Sequence, residues 1–305
     1  MAFRIDPKVD FAFKLVFGSP DHPQITIHFL NAVLQPLRPI TAVEILNPIQ
    51  ERDRSDAKLV TLDVLAQDAD DRRYNIEMQT TLPIDLRNRL TYYNCLNYVR
   101  QLSAGNPYHH LRPSISICVL ARLLFTDVLD YHLSFRLRCD QRELVFSDDL
   151  LFHTLELPKY VVPGDNELRE LPNLEKWFVF LKLAPERDVH ELAGLLDHDV
   201  FEEAAGVLEM IFQTPEDRDF YESRIKYLHD EEARLIAARQ EGREEGREEG
   251  MEKGMEKGAL IGKIQILQEL VGTSVSDASD WLQGDVKALS DTLADLQDQL
   301  RSRGS

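Results

Sequence analysis

Cysteine is scarce in this chain. Cys95, Cys118 and Cys139 are the only three in 305 residues, and none stands in a Cys-x-x-Cys pair. A disulfide framework and a cysteine-based zinc site are thereby excluded as organising devices, and a reducing cytoplasm is the expected compartment. Long apolar runs are missing too. None approaches the roughly 18 residues that a membrane helix needs, so no membrane partner is expected. The opening segment from Met1 to Pro7 has no apolar stretch of the kind a secretory signal carries. Positive charge is in deficit: 35 Lys and Arg stand against 53 Asp and Glu, a net charge of -18. Such a surface repels polyanions and argues against passive nucleic-acid binding. Bound divalent cations reverse the sign locally, which leaves room for an enzyme that meets phosphates through metal ions.

What is present reads as a globular chain with a sizeable core, at 43% hydrophobic and 29% charged residues. Asp10 to Gly18 is short and Phe-rich. Gln24 to Leu34 places Ile25, Phe29, Leu30 and Val33 at helical spacing and stops before Pro36. Thr41 to Leu46 reads as a strand closed by Asn47-Pro48. Leu59–Gln67 and Arg73–Gln79 read as strands flanking the acidic turn Asp68-Ala69-Asp70-Asp71. A helix over Leu86–Leu102 and a strand over Ser114–Leu120 follow. From Leu174 to about Gln240 the pattern is helical. The order of helix, three strands, helix, strand and helical remainder predicts an α/β core with an α-helical C-terminal extension.

Beyond Gln240, glycine recurs at 242, 246, 250, 254, 258 and 262. On a helix this spacing drifts by about 40° per repeat, and each glycine costs roughly 1 kcal/mol against alanine. Glu with Arg or Lys at helical spacing offsets part of that. Two readings stand open, a charged linker of marginal helicity or a stalk that brings copies together as a homo-oligomer. The chain thus divides into a core over 1–165, a helical extension over 166–240, a charged glycine-repeat linker over 241–262 and an amphipathic helical tail over 263–305.

The hairpin carries the chemistry. Val60, Leu62, Val64 and Ala66 are the apolar set of its first strand, and Tyr74, Ile76 and Met78 that of its second. Facing both sets onto one core requires paired residue numbers with an even sum. A loop centred near Asp70 makes that sum 140, which pairs Val64 with Ile76 and sets Asp63 opposite Glu77 on the other face. Opposed side chains have Cβ atoms roughly 5 Å apart, and like charges there are destabilising. A hard divalent cation, Mg²⁺ or Mn²⁺, turns the same two carboxylates into ligands. Gln79 points to that face as well, because it follows Glu77 by two residues. An ordinary hairpin with a polar solvent face is the alternative.

These residues also carry a resemblance. Asp10-Phe11-Ala12-Phe13-Lys14 with Phe17-Gly18, Phe29 to Leu34, Leu62-Asp63-Val64 and Asn75-Ile76-Glu77-Met78-Gln79 resemble the Rpn family. Its members are recombination-promoting nucleases, often labelled putative transposases, of the PD-(D/E)XK superfamily. Tyr92-Tyr93, Ser114 to Ile117, Trp177-Phe178 and Tyr221 to Arg224 extend the likeness, which spans roughly residues 4 to 258. It implies a restriction-endonuclease-like core, a mixed sheet flanked by helices, and metal-assisted hydrolysis of DNA phosphodiesters. It further implies Asp63 and Glu77 as catalytic metal ligands, with Asp10 as a third acid at the metal. The superfamily's usual lysine two residues after the Glu is here Gln79, an amide that can orient a water but cannot act as a general base.

The remaining signals are weaker. Arg87, Arg89, Tyr92 and Tyr93 fall on the helix after the hairpin and are candidates for the DNA backbone, or form a solvated face with core tyrosines. Trp177, Phe178 and Phe180 are expected in the core, Lys14 in solvent, and His109-His110 without a metal role. The function expected is a metal-dependent DNA endonuclease linked to recombination, mobile elements or phage defence. The alternative is a nuclease fold that cuts weakly or not at all and acts as an interaction module through its tail.

Overall fold

A computed structural model describes residues 4–47, 64–103, 105–277, 281 and 285–303. It divides them into two units, residues 1–230 and 231–305. In the first unit, α1 (Asp10–Phe17) and α2 (Pro23–Leu34) precede β1 (Val43–Ile45), β2 (Val64–Asp68) and β3 (Arg73–Gln79). Helix α3 (Leu86–Val99) leads to β4 (Ser114–Leu120), β5 (His132–Arg138) and β6 (Val145–Glu156). Then come α4 (Asn173–Leu183), α5 (Val189–Leu196), α6 (Asp199–Met210) and the start of α7 (Pro215–Val271).

Local chemistry explains the opening elements. Gly18 ends α1 because a Cβ there would sit 2.7 Å from the Lys14 carbonyl oxygen and 3.1 Å from Val64 Cγ2. Pro23 starts α2, where its missing N–H costs nothing. The Thr26 hydroxyl donates to the Phe17 carbonyl at 2.6 Å and ties the second helix to the end of the first. Asn31 then clamps both the N–H and the C=O of Ile40 at 2.8 Å, which directs the chain towards β1.

The described strands form one sheet in the order β1-β2-β3-β4-β6-β5. β1, β2 and β3 pair antiparallel, β3 with β4 and β4 with β6 pair parallel, and β5 closes the far edge antiparallel to β6. This is the mixed sheet flanked by helices that the resemblance implies. Val64 pairs with Ile76, Leu65 with Asn75 and Ala66 with Tyr74, the expected register. Val64, Ala66, Tyr74 and Ile76 are all fully buried. Their face carries Ile115, Ile117 and Leu155 into one core with Phe11, Phe17, Phe29, Trp177, Phe180 and Phe201. Each such side chain contributes roughly 1.5–3 kcal/mol on burial. Trp177, Phe178 and Phe180 are therefore core, as expected.

The opposite face is covered by α3. Leu86 and Leu90 of that helix pack with Cys118 and Leu120 of β4 in a separate small cluster. A layer is thus present on each side of the sheet, and β3 and β4 are shielded on both.

Three expectations change. Strands β5 and β6 had not been anticipated. β5 alternates Leu133, Phe135 and Leu137 with polar residues, but β6 carries Ser147-Asp148-Asp149 near its start, which breaks its apolar pattern. Lys14, expected in solvent, is 3% exposed; α1 touches α2, α6 and β3, so little of its surface is left to water. The strand expected over Leu59–Gln67 is seen from Val64 onwards, and its earlier part lies outside the described residues.

The second unit contains the rest of α7 and α8 (Val286–Arg303). Ile261, Ile264, Leu289 and Leu296 form its buried cluster. The six repeat glycines have nothing within 4 Å of where a Cβ would stand. No helix among the described residues is long and apolar enough to cross a membrane.

Candidate nuclease site

Alternation along β3 sends Asn75, Glu77 and Gln79 to the face under α3. Glu77 is 2% exposed and Asn75 is buried beside it. The Asn75 amide donates to Glu77 Oε1 at 2.5 Å, and the Gln79 amide donates to Oε2 at 3.4 Å. A buried carboxylate is costly unless its lone pairs are satisfied, and here its own strand supplies a donor on each side. Glu77 also pairs in register with Cys118, and Cys118 with Thr154; Asn75 pairs with Ser116. The hydroxyls of Ser116 and Thr154 are buried without a hydrogen-bond partner among the described residues, as is Asn94 Oδ1 of α3. The layer between α3 and the sheet is therefore polar around Glu77 and apolar around Leu120.

Of the residues singled out in the sequence, Glu77 and Gln79 are brought together as expected. Asp63 lies outside the described residues. Asp10 is the first residue of α1, where one oxygen accepts from the Phe11 N–H at 2.8 Å, and both of its oxygens accept from the Arg224 guanidinium of α7. The structure thus takes Asp10 to α7. Arg87 and Tyr92 are exposed on α3 and Arg89 is half-buried; Tyr92 meets Tyr93 edge-on, with ring centroids 5.5 Å apart. His109 and His110 meet edge-on at the surface, with ring centroids 4.5 Å apart. Asn75 is the residue that sequence reading missed, although the alternation Asn-x-Glu-x-Gln was there to find it.

Glu156, in the same row as Gln79 and Leu120, holds a different post. It is buried, pairs with Lys159 at 2.9 Å and accepts from the Leu124 N–H at 2.8 Å. It anchors the loop after β4.

As hard oxygen donors, Glu77 and the side-chain carbonyls of Asn75 and Gln79 are the type that Mg²⁺ or Mn²⁺ takes. Among the described residues no group of three or more His, Cys, Asp or Glu could hold a metal ion. One carboxylate and two amides fit such an ion in kind and leave room for further ligands.

A family model described as PD-(D/E)XK nuclease family transposase matches residues 7–238. The chain belongs to this PD-(D/E)XK nuclease family. The match takes in α1 through the first part of α7, and so contains β2, β3 and the Glu77 face. It ends before the glycine repeat. No curated protein and no solved structure matches the chain. For a PD-(D/E)XK nuclease, the mixed sheet with helices on both faces is the expected restriction-endonuclease-like core, and the family supports a nuclease-like function.

Proposed function

We propose that the chain is a metal-dependent DNA endonuclease, with Asp63 and Glu77 as metal ligands and Gln79 as the residue that orients the attacking water. The observation that carries this reading is the buried Glu77 carboxylate, held between two amides on a strand face lined with polar groups. The register of the β2–β3 pairs has the sum from which Asp63 was expected opposite Glu77. A bound Mg²⁺ or Mn²⁺ would lower the pKa of a coordinated water and withdraw charge from the scissile phosphate. Asn75 and Gln79 orient the Glu77 carboxylate, and rotation of the Gln79 amide brings a donor to water or to a phosphoryl oxygen. Arg87, Arg89 and Tyr92 of α3 are the candidates to meet the DNA backbone, which an otherwise acidic surface needs. Asp10, committed to Arg224, fits a role in holding α1 to α7 better than one at the metal. A reducing cytoplasm is the compartment that goes with this reading. A role in recombination, mobile-element movement or phage defence goes with this activity.

Gln79 in place of the lysine favours a second reading, a nuclease fold that cuts weakly and acts through its tail. Plasmid cleavage separates the two. Nicking or linearisation is expected with Mg²⁺ or Mn²⁺, abolished by excess EDTA and by Asp63→Ala or Glu77→Gln. Cleavage that persists in EDTA, or unchanged in either variant, would overturn the proposal.

A further inference from the structure

β5 is an edge strand whose outward side has no neighbouring strand among the described residues, and it is not hidden. From Ser134 to Arg138 every residue is exposed; Phe135 is 39% and Leu137 46% exposed. An exposed edge with large apolar side chains is a template for another strand. The backbone is ready for it. The Glu156 N–H donates to the Tyr131 carbonyl, so alternation turns the amides and carbonyls of Leu133 and Phe135 towards β6 and those of His132 and Ser134 outwards.

We propose that β5 is a self-complementary interface, at which two copies of this chain pair their β5 strands antiparallel about Phe135. Phe135 is the midpoint of the seven-residue strand His132–Arg138. A two-fold axis there pairs every residue of the strand with one of its copy. Leu133 meets Leu137, Phe135 meets Phe135, and these contacts share one face. On the other face Ser134 meets Arg136 and His132 meets Arg138. No arginine opposes an arginine, and Arg136 is already neutralised by Asp148 at 3.0 Å. A slip that centres the axis on Arg136 sets like charges directly opposite, which is destabilising, and shortens the overlap. A slip that centres it on Ser134 shortens the overlap as well. The two six-stranded sheets become one continuous sheet, and both exposed edges are removed. Leu133 is in register with Thr154, and Thr154 with Cys118, the partner of Glu77, so each copy's Glu77 face continues across the junction. The pairing is independent of whether the site cuts DNA.

Cross-linking of the full chain reads the register directly. In this arrangement Phe135 and its copy form a non-hydrogen-bonded pair, with Cα atoms about 4.5 Å apart, inside the range a disulfide spans. In a Cys139→Ser background, mild oxidation of Phe135→Cys should give a covalent dimer. Leu137→Cys and Ser134→Cys should give no more than the background, because each lies opposite a different residue. The double variant Leu133→Cys with Leu137→Cys keeps Phe135 and should cross-link as well, which covers the case in which Phe135→Cys does not fold. Background-level cross-linking of both Phe135→Cys and the double variant would overturn the proposal, and so would preferential cross-linking through Ser134→Cys or Leu137→Cys alone. These outcomes report the contact of β5 with its copy directly, whatever association the C-terminal tail makes.

Discussion

Removing the Asn75 amide tests how the protein holds a charge in its interior. Asn75 is 6% exposed and Glu77 2% exposed, and the amide stands 2.5 Å from the carboxylate. Hydrogen bonds to charged groups contribute roughly 1.5–3 kcal/mol. The Gln79 amide, at 3.4 Å, is too long to take over that bond. Asn75→Ala should therefore destabilise the 1–230 unit by about 2 kcal/mol at pH 7 in EDTA. For a unit of that size each kcal/mol moves the melting temperature by roughly 2–4 °C, so a drop of about 4–8 °C is expected. Saturating Mg²⁺ should shrink the drop, because a cation at Glu77 compensates the same charge and stabilises whichever form binds it. Asn75→Asp sharpens the contrast: it sets a second carboxylate against Glu77, so its melting temperature in EDTA should fall further and its recovery in Mg²⁺ should be larger. Scanning calorimetry of the three proteins with and without the cation measures all of this. A melting temperature unchanged by Asn75→Ala in EDTA would show that the carboxylate does not depend on the amide, and the reasoning would fail.

Gln79→Ala should lower cleavage by ~10²-fold, by analogy with loss of an oxyanion donor, whereas Gln79→Lys should keep much of it with a higher Mg²⁺ requirement; steady-state rates across a metal titration decide. A chain ending near Gln240 should keep its melting transition and lose any tail-driven association, read as mass per particle by light scattering. Burial lowers the pKa of His153 to about 4, with His132 bonded to it at 2.9 Å. The unfolded state binds its proton at about 6.5, so this contribution to stability is present above pH 6.5 and is lost as the pH falls towards 4. Between pH 7 and pH 5 the loss is on the order of 2 kcal/mol, and His153→Gln should flatten the slope of the denaturation midpoint against pH. His28, also pushed down to about 4 by burial, adds to the slope in the same window.

Much of the chain was legible because its information is local. Period-two alternation in Arg73–Gln79 and the parity of its apolar set decide which residues face the core, and the register of β2 with β3 follows from that parity alone. The pairing of Glu77 with Gln79 is a consequence of the same alternation. Helix α2 was readable from the helical spacing of Ile25, Phe29, Leu30 and Val33 and from Pro36 beyond its end. What the tertiary structure alone decided depends on partners distant in sequence. The resemblance implied Asp10 as a third acid at the metal, and only the return of α7 brings Arg224 to it from 214 residues away. Lys14 is buried because α2, α6 and β3 close around its helix. β6 is a strand because β4 pairs with it from Leu150 to Glu156 and β5 from Phe152 to Leu155, while Asp148 and Asp149 fall where its register with β5 shifts; that pairing decides the strand, not the propensity of its acidic start. Side-chain periodicity says which way a residue points; which charge it finds there is settled only when the chain has folded back on itself.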